Sequence, residues 1–111
     1  MKKKLVSVLL TAVMAIGCFA GCGTKEAKNN DAFYIGGIGP VTGDSAIYGS
    51  AVQNGAQIAV DEINAAGGIN GHKIEYNFQD DQGDPEKSAN AYNTLKDWGM
   101  QLLMGTVTTA P

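Results

Sequence analysis

The feature that most constrains the fold is a regular change of hydrophobic period after Asp31. Three short apolar runs, at residues 32–38, 73–79 and 101–104, have the length of strands, and the first two also have their aromatic and β-branched content. Two longer segments between them, from about residue 45 to 66 and from 85 to 98, space apolar residues as amphipathic helices do. The order strand, helix, strand, helix, strand is typical of α/β proteins.

Local signals indicate where the two helices begin and end. Gly67 and Gly68 follow the first helical segment and accept the left-handed conformation that ends a helix. Asp84 before Pro85 predicts the N-cap and the first position of the second helix, and Gly99 predicts its end. The apolar residues predicted to face the sheet are Val52, Ala56, Ala59, Val60 and Ile63 in the first helix and Ala91, Tyr92, Leu95 and Trp98 in the second.

This order of elements also predicts the topology. Crossovers through helices make the strands parallel, and right-handed connections place the two helices on opposite faces if the first strand is central. We therefore predict an α/β fold with an open, doubly wound parallel sheet in the order 2-1-3. Ligands bind such sheets beyond the carboxyl ends of the strands, where the strand order reverses. Here that switch point lies between the loop after strand one, residues 39–48, and the loop after strand three, residues 105–109.

Charge and cysteine content exclude two classes of protein. The 111 residues include eight lysines, no arginine and 11 acidic residues, for a net charge of −3. Because this balance gives no basic surface for a phosphate backbone, nucleic acids are excluded as partners. No cysteine follows Cys22, so the region after it cannot contain a structural disulfide.

The loop after strand three carries three hydroxyl groups, on Thr106, Thr108 and Thr109. Together with the backbone N–H groups of a helix expected to follow, they suit a small anion such as a carboxylate. The alternative, that the threonines only cap a helix and fill a loop, stays open at this point.

Other chemical interpretations fail on spacing. The glycines at 36, 37 and 39 lack the third glycine of a dinucleotide fingerprint, because Thr42 stands in its place, and we predict no cofactor. The acidic residues of segment 80–86 do not have EF-hand spacing, so solvated loop and helix-cap roles are predicted for Asp80, Asp81, Asp84 and Glu86. The single histidine, His72, lies in a predicted surface turn. We therefore predict no metal site and no enzyme.

The first 22 residues have the pattern of an export signal. Lys2, Lys3 and Lys4 precede an apolar run of 15 residues, which is too short to span a bilayer core of about 30 Å comfortably. Residues 19–22 (FAGC) resemble the lipobox of bacterial lipoproteins, in which the cysteine is acylated and becomes the new N-terminus, although Phe19 departs from the usual aliphatic residue. Residues 15–18 offer a second candidate ending in Cys18. We predict a signal peptide at 1–22 with lipid attachment at Cys22, followed by a polar tether at 23–31.

Several motifs occur in order along the chain: IGPVTG at 38–43, YG at 48–49, NGA at 54–56, DEINAAGGINGHKI at 61–74 and DDQGDP at 80–85. Together they resemble the first lobe of the branched-chain amino-acid substrate-binding proteins of bacterial ABC transporters, within the type I periplasmic-binding-protein family. The resemblance covers roughly residues 33–111. It implies that residues 32–111 are the N-terminal part of a solute-binding lobe, truncated relative to the two-lobed family members.

The resemblance also implies a ligand site. The loop after strand three would hold the ligand's α-carboxylate through Thr109, with Thr108 and Val107 lining the pocket. Tyr48 would border the ligand side chain. Some family members have a disulfide between the loops after strands two and three, but Gly83 and Thr108 occupy those positions here.

The resemblance finally implies a function. It predicts an exported, lipid-anchored protein at the outer face of the cell membrane or in the periplasm, which captures amino acids, branched-chain ones favoured, for an ABC permease in the membrane. A ligand-sensing receptor ectodomain with the same lobe fold is the main alternative, and a structural surface lipoprotein without a ligand is another. The lipobox favours the transport protein over the receptor.

Overall fold

The computed structural model describes residues 31–111 and contains the five predicted elements. These are β1 (Phe33–Gly39), α1 (Ala46–Ala65), β2 (Ile74–Asp80), α2 (Pro85–Trp98) and β3 (Leu102–Met104). The three strands are parallel and lie in the order β2-β1-β3, which confirms the predicted sheet. The predicted signal peptide with Cys22, and all of the predicted tether except Asp31, lie outside the described residues.

Strand register aligns the carboxyl ends of the two long strands. β1 pairs with β2 along its whole length, from Phe33 opposite Ile74 to Gly39 opposite Asp80. β3 is shorter and pairs only with the middle of β1, where Gly37 lies opposite Met104. Because β1 is central, the loops after β1 and β3 leave the same edge of the sheet, at its topological switch point.

Helix α2 covers one face of the sheet. The core on this face consists of Ile38, Ala91 and Leu95, with Trp98, Met100 and Leu103 packed against it. Gly36 lets this layer approach closely, because a Cβ built there would overlap both Leu95 and Met100. The predicted stripe of α2 is therefore right for Ala91 and Leu95, while Tyr92 remains 45% exposed.

The stripe predicted for α1 is only partly buried. Val60 is buried, but Val52 and Ile63 keep 37% and 36% of their surface exposed. The 20 residues of α1 extend about 30 Å, whereas a strand of seven residues extends about 23 Å. The helix is longer than the strands beneath it, so part of its apolar face has no sheet to cover it. Within residues 31–111, neither helix combines the length and the hydrophobicity needed to span a bilayer.

The predicted ends of α2 are confirmed. The Asp84 carboxylate accepts a hydrogen bond of 2.9 Å from the Lys87 N–H, and Pro85 occupies the first helical position. Gly99 ends the helix in the left-handed conformation, with φ of 101°. These caps set the direction in which the chain leaves β2 and returns as β3.

Candidate functional site

The loop after β3 folds back over the end of β1. A Cβ built on Gly39, the last residue of β1, would overlap the Val107 side chain and lie 3.2 Å from the ring of Phe78. Glycine at this position therefore makes room for Val107 at the carboxyl edge of the sheet. The loop after β3 thus reaches the end of β1, where the loop after β1, residues 40–45, begins.

The loop after β1 is held by Asp80, the last residue of β2. Its Oδ1 accepts hydrogen bonds of 2.9 Å from the backbone N–H groups of Val41 and Gln82, and the Thr42 hydroxyl donates to Oδ2. Burial alone would raise the pKa of Asp80, but these hydrogen bonds outweigh it and lower the pKa below its ordinary value. The carboxylate is therefore charged at neutral pH and ties the loop to β2.

A close backbone approach holds the same loop from the side of α1. Gly49 is buried, and a Cβ built on it would overlap the carbonyl group of Pro40. Pro40 itself is almost fully buried. The amino end of α1 therefore rests directly on the first residue of the loop, which only glycine allows.

Tyr48 lies in the first turn of α1, just after the loop of residues 40–45. The helix begins at Ala46, close to the start predicted at about residue 45. The Tyr48 side chain is 66% exposed. Ser45 at the N-cap makes no side-chain capping bond, and the first turn contains no acidic residue. The positive end of the α1 dipole is therefore not compensated by its own side chains.

The loop after β3, residues 105–109, combines a buried hydroxyl with an exposed threonine. The Thr106 hydroxyl donates to the Thr108 carbonyl oxygen at 3.1 Å. The Thr108 hydroxyl is buried and has no hydrogen-bond partner among the described residues, whereas Thr109 is exposed. A buried polar group without a partner costs about 1 to 3 kcal/mol, so any group that accepts a hydrogen bond from the Thr108 hydroxyl would remove this cost.

Residues 107–109 form bends, and the helix expected to follow the threonines would begin beyond them. A helix N-terminus with backbone N–H donors is present at this edge in α1, which follows the loop after β1. The structure thus places Tyr48 on the α1 side of the switch point and Val107, Thr108 and Thr109 on the β3 side.

The acidic segment after β2 has structural partners. The prediction of a solvated loop is wrong for Asp81, which is fully buried. Its Oδ1 accepts a hydrogen bond of 2.8 Å from the Gly83 N–H, because the turn folds over it.

His72 is exposed, with Nδ1 2.8 Å from the Asp31 carbonyl oxygen. From residue 31 onward, no group of three His, Cys, Asp or Glu side chains could hold a metal ion.

Comparison with known proteins identifies the family. Residues 32–111 match the family model described as periplasmic binding protein. The chain belongs to the periplasmic binding protein family. The parallel sheet, with its open edge of loops after β1 and β3, is thus the N-terminal part of a periplasmic-binding-protein lobe, in agreement with the resemblance read from the sequence.

Individual members of the family are similar over much of this chain. A Leu/Ile/Val-binding protein of Rhizobium johnstonii is 47% identical over 75 residues, which is 68% of this chain and 20% of the relative. Leu/Ile/Val-binding protein homolog 1 of Brucella abortus is 40% identical over 107 residues, 95% of this chain and 26% of the relative. The chain therefore spans about a fifth to a quarter of the length of these relatives.

The fold is likewise shared with solved structures. The branched-chain amino acid transporter substrate binding protein of Streptococcus pneumoniae, determined in complex with isoleucine, is 38% identical and superposes with a TM-score of 0.61. The match covers 65% of this chain and 21% of the pneumococcal chain. At 38% identity the two chains are related in sequence as well as in fold.

Proposed function

We propose that this protein is the extracytoplasmic solute-binding component of an ABC importer and that it captures amino acids, branched-chain ones in particular. The observation that carries the proposal is the buried, unpartnered Thr108 hydroxyl in a loop that reaches the end of β1 at the switch point. The names of the Rhizobium and Brucella relatives and the isoleucine in the pneumococcal structure support the ligand class. A binding role, and no enzymatic one, agrees with the family.

The proposed site binds a carboxylate without a basic side chain. Thr109 contacts the α-carboxylate through its hydroxyl and nearby N–H groups, and Thr108 and Val107 line the pocket. The amino end of α1 lies at the same edge of the sheet, and its first turn has no acidic residue and no side-chain cap that occupies its N–H groups. Tyr48 borders the ligand side chain, because its ring is exposed at the start of α1.

Calorimetric titration of the full-length gene product tests this function. We expect leucine, isoleucine and valine to bind, and 3-methylbutylamine, which is leucine without its carboxylate, not to bind. A folded protein that binds none of the three amino acids would contradict the proposal.

Uptake by cells separates the transport protein from a receptor. Deleting the gene should reduce uptake of the bound amino acid, whereas loss of a receptor ectodomain that binds the same ligands would leave uptake unchanged.

We also propose that the protein is lipid-anchored through Cys22 and delivers its ligand to a permease in the membrane. The proposal rests on the FAGC sequence at 19–22 after an apolar run. Radiolabelled palmitate should enter the wild-type protein in a bacterial host and should not enter the Cys22→Ala variant. Cys18→Ala is the matched control and should be labelled like the wild type. Equal labelling of the wild-type and Cys22→Ala proteins would contradict Cys22 as the anchor.

A further inference from the structure

We infer that Asp80 is a positioning residue for ligand binding: its carboxylate holds the loop of residues 40–45 in the conformation that the ligand meets. The inference rests on the proposed function, because it assigns Asp80 a role at the same site. Asp80 was predicted from the sequence only as part of a solvated acidic segment.

The carboxylate joins two loops that follow neighbouring strands. Val41 and Thr42 belong to the loop after β1, and Gln82 belongs to the loop after β2. The strands beneath are in register at this point, since Gly39 lies opposite Asp80 and the Asp81 N–H donates to the Gly39 carbonyl oxygen at 3.3 Å. The Asp80 side chain thus ties Val41 and Thr42, at the start of the loop after β1, to the end of β2.

The bonding pattern indicates an indirect role. Both oxygens of Asp80 already accept hydrogen bonds from the protein, two on Oδ1 and one on Oδ2. A second carboxylate brought next to it would be repelled by its negative charge. Asp80 therefore acts through the loop and does not itself bind an amino-acid carboxylate.

Loss of the Asp80 carboxylate should weaken ligand binding, because a smaller fraction of the protein would then hold the loop of residues 40–45 in its binding conformation. The loop begins at Pro40, buried beneath Gly49, and contains Gly43 at a positive φ of 81°. The other end of the loop is held at α1, where the Ala46 N–H donates to the Gly43 carbonyl oxygen at 3.2 Å. Without Asp80 both ends stay fixed, but Val41 and Thr42 between them lose their bonds to β2 and sample more conformations. Apparent affinity falls in proportion to the fraction of protein in the binding-competent state. A competent fraction of about a tenth to a hundredth therefore weakens binding by about tenfold to a hundredfold.

The test compares four variants of the full-length gene product by isoleucine calorimetry and thermal unfolding. Asp80→Ala should bind about tenfold to a hundredfold more weakly. Asp80→Asn should stay within about threefold of the wild type, because the amide oxygen still accepts from the Val41 and Gln82 N–H groups and the Thr42 hydroxyl can accept from the amide. Thr42→Val should lose about threefold to tenfold, since it removes one of the three hydrogen bonds.

Asp84→Ala is the matched control, because it removes an aspartate that caps α2 in the same segment. It should lower the melting temperature and leave the Kd of the folded protein unchanged. An Asp80→Ala protein that behaves the same way would overturn the inference. If Asp80→Ala does not fold, Thr42→Val decides, and a Kd equal to that of the wild type overturns it. A wild-type protein that binds no amino acid would overturn the proposed function, and the inference about Asp80 with it. If the wild type binds and Asp80→Ala binds equally well, only the inference about Asp80 fails.

Discussion

Thr109→Ala in the full-length protein is expected to weaken the binding of leucine, valine and alanine alike, by about tenfold to a hundredfold. The substitution removes the hydroxyl that we propose to hold the ligand's carboxylate, and a hydrogen bond to a charged group contributes about 1.5 to 3 kcal/mol. All amino acids share the carboxylate, so the loss should not depend on the side chain. Calorimetry with the three ligands measures it.

Two matched variants separate the possible roles in this loop. Tyr48→Ala should change the ranking of leucine, valine and alanine, because Tyr48 is proposed to border the side chain. Thr108→Val keeps the shape of Thr108 and removes the hydroxyl that has no partner within residues 31–111. If Thr108→Val weakens binding and Thr109→Ala does not, the carboxylate is held by Thr108. A Thr109→Ala protein that melts early and binds normally would identify Thr109 as a structural residue only.

Gly49→Ala should destabilise the protein by about 2 to 3 kcal/mol, whereas Gly55→Ala in the same helix should stabilise it by about 0.5 to 1 kcal/mol. The added methyl group at Gly49 would overlap the Pro40 carbonyl group and force α1 away from the loop after β1. At Gly55 a Cβ meets nothing within 4 Å, so alanine brings only its better helix propensity.

Urea unfolding of the two alanine variants and the wild type measures both effects on one scale. Because both substitutions replace glycine by alanine inside α1, their intrinsic helix propensities cancel in the comparison. The difference that remains reports the contact with Pro40. Equal effects of the two substitutions would contradict the close approach of α1 to the loop.

The elements and their order could be predicted from the sequence because their signals are local. Hydrophobic period, the Asp84-Pro85 start and the Gly99 stop each depend on a few neighbouring residues, and the 2-1-3 order follows from general rules of handedness. The boundaries of β1 and β2 shift by a single residue from the predicted runs. The burial of α1 was less predictable, because it depends on how the length of the helix compares with that of the strands beneath it.

The contacts that shape the site could not be found by reading along the chain. Asp80 was grouped with its acidic neighbours, and its partners Val41 and Thr42 lie 39 and 38 positions away in sequence. The signal that would have found them is the register: two parallel strands of seven residues place the last residue of β2 beside the end of β1. Gly49 was treated as part of a motif only, because no local rule shows that its α-carbon meets the backbone of Pro40.

A crystal structure of the full-length gene product with bound isoleucine is the most direct test of the central claim. We expect the isoleucine between the loops after β1 and β3, with its carboxylate 2.5–3.2 Å from the hydroxyl of Thr108 or Thr109. Val107 and Tyr48 should then border the bound ligand. Isoleucine bound away from these two loops, or a carboxylate held by a basic side chain in place of the threonines, would contradict the account.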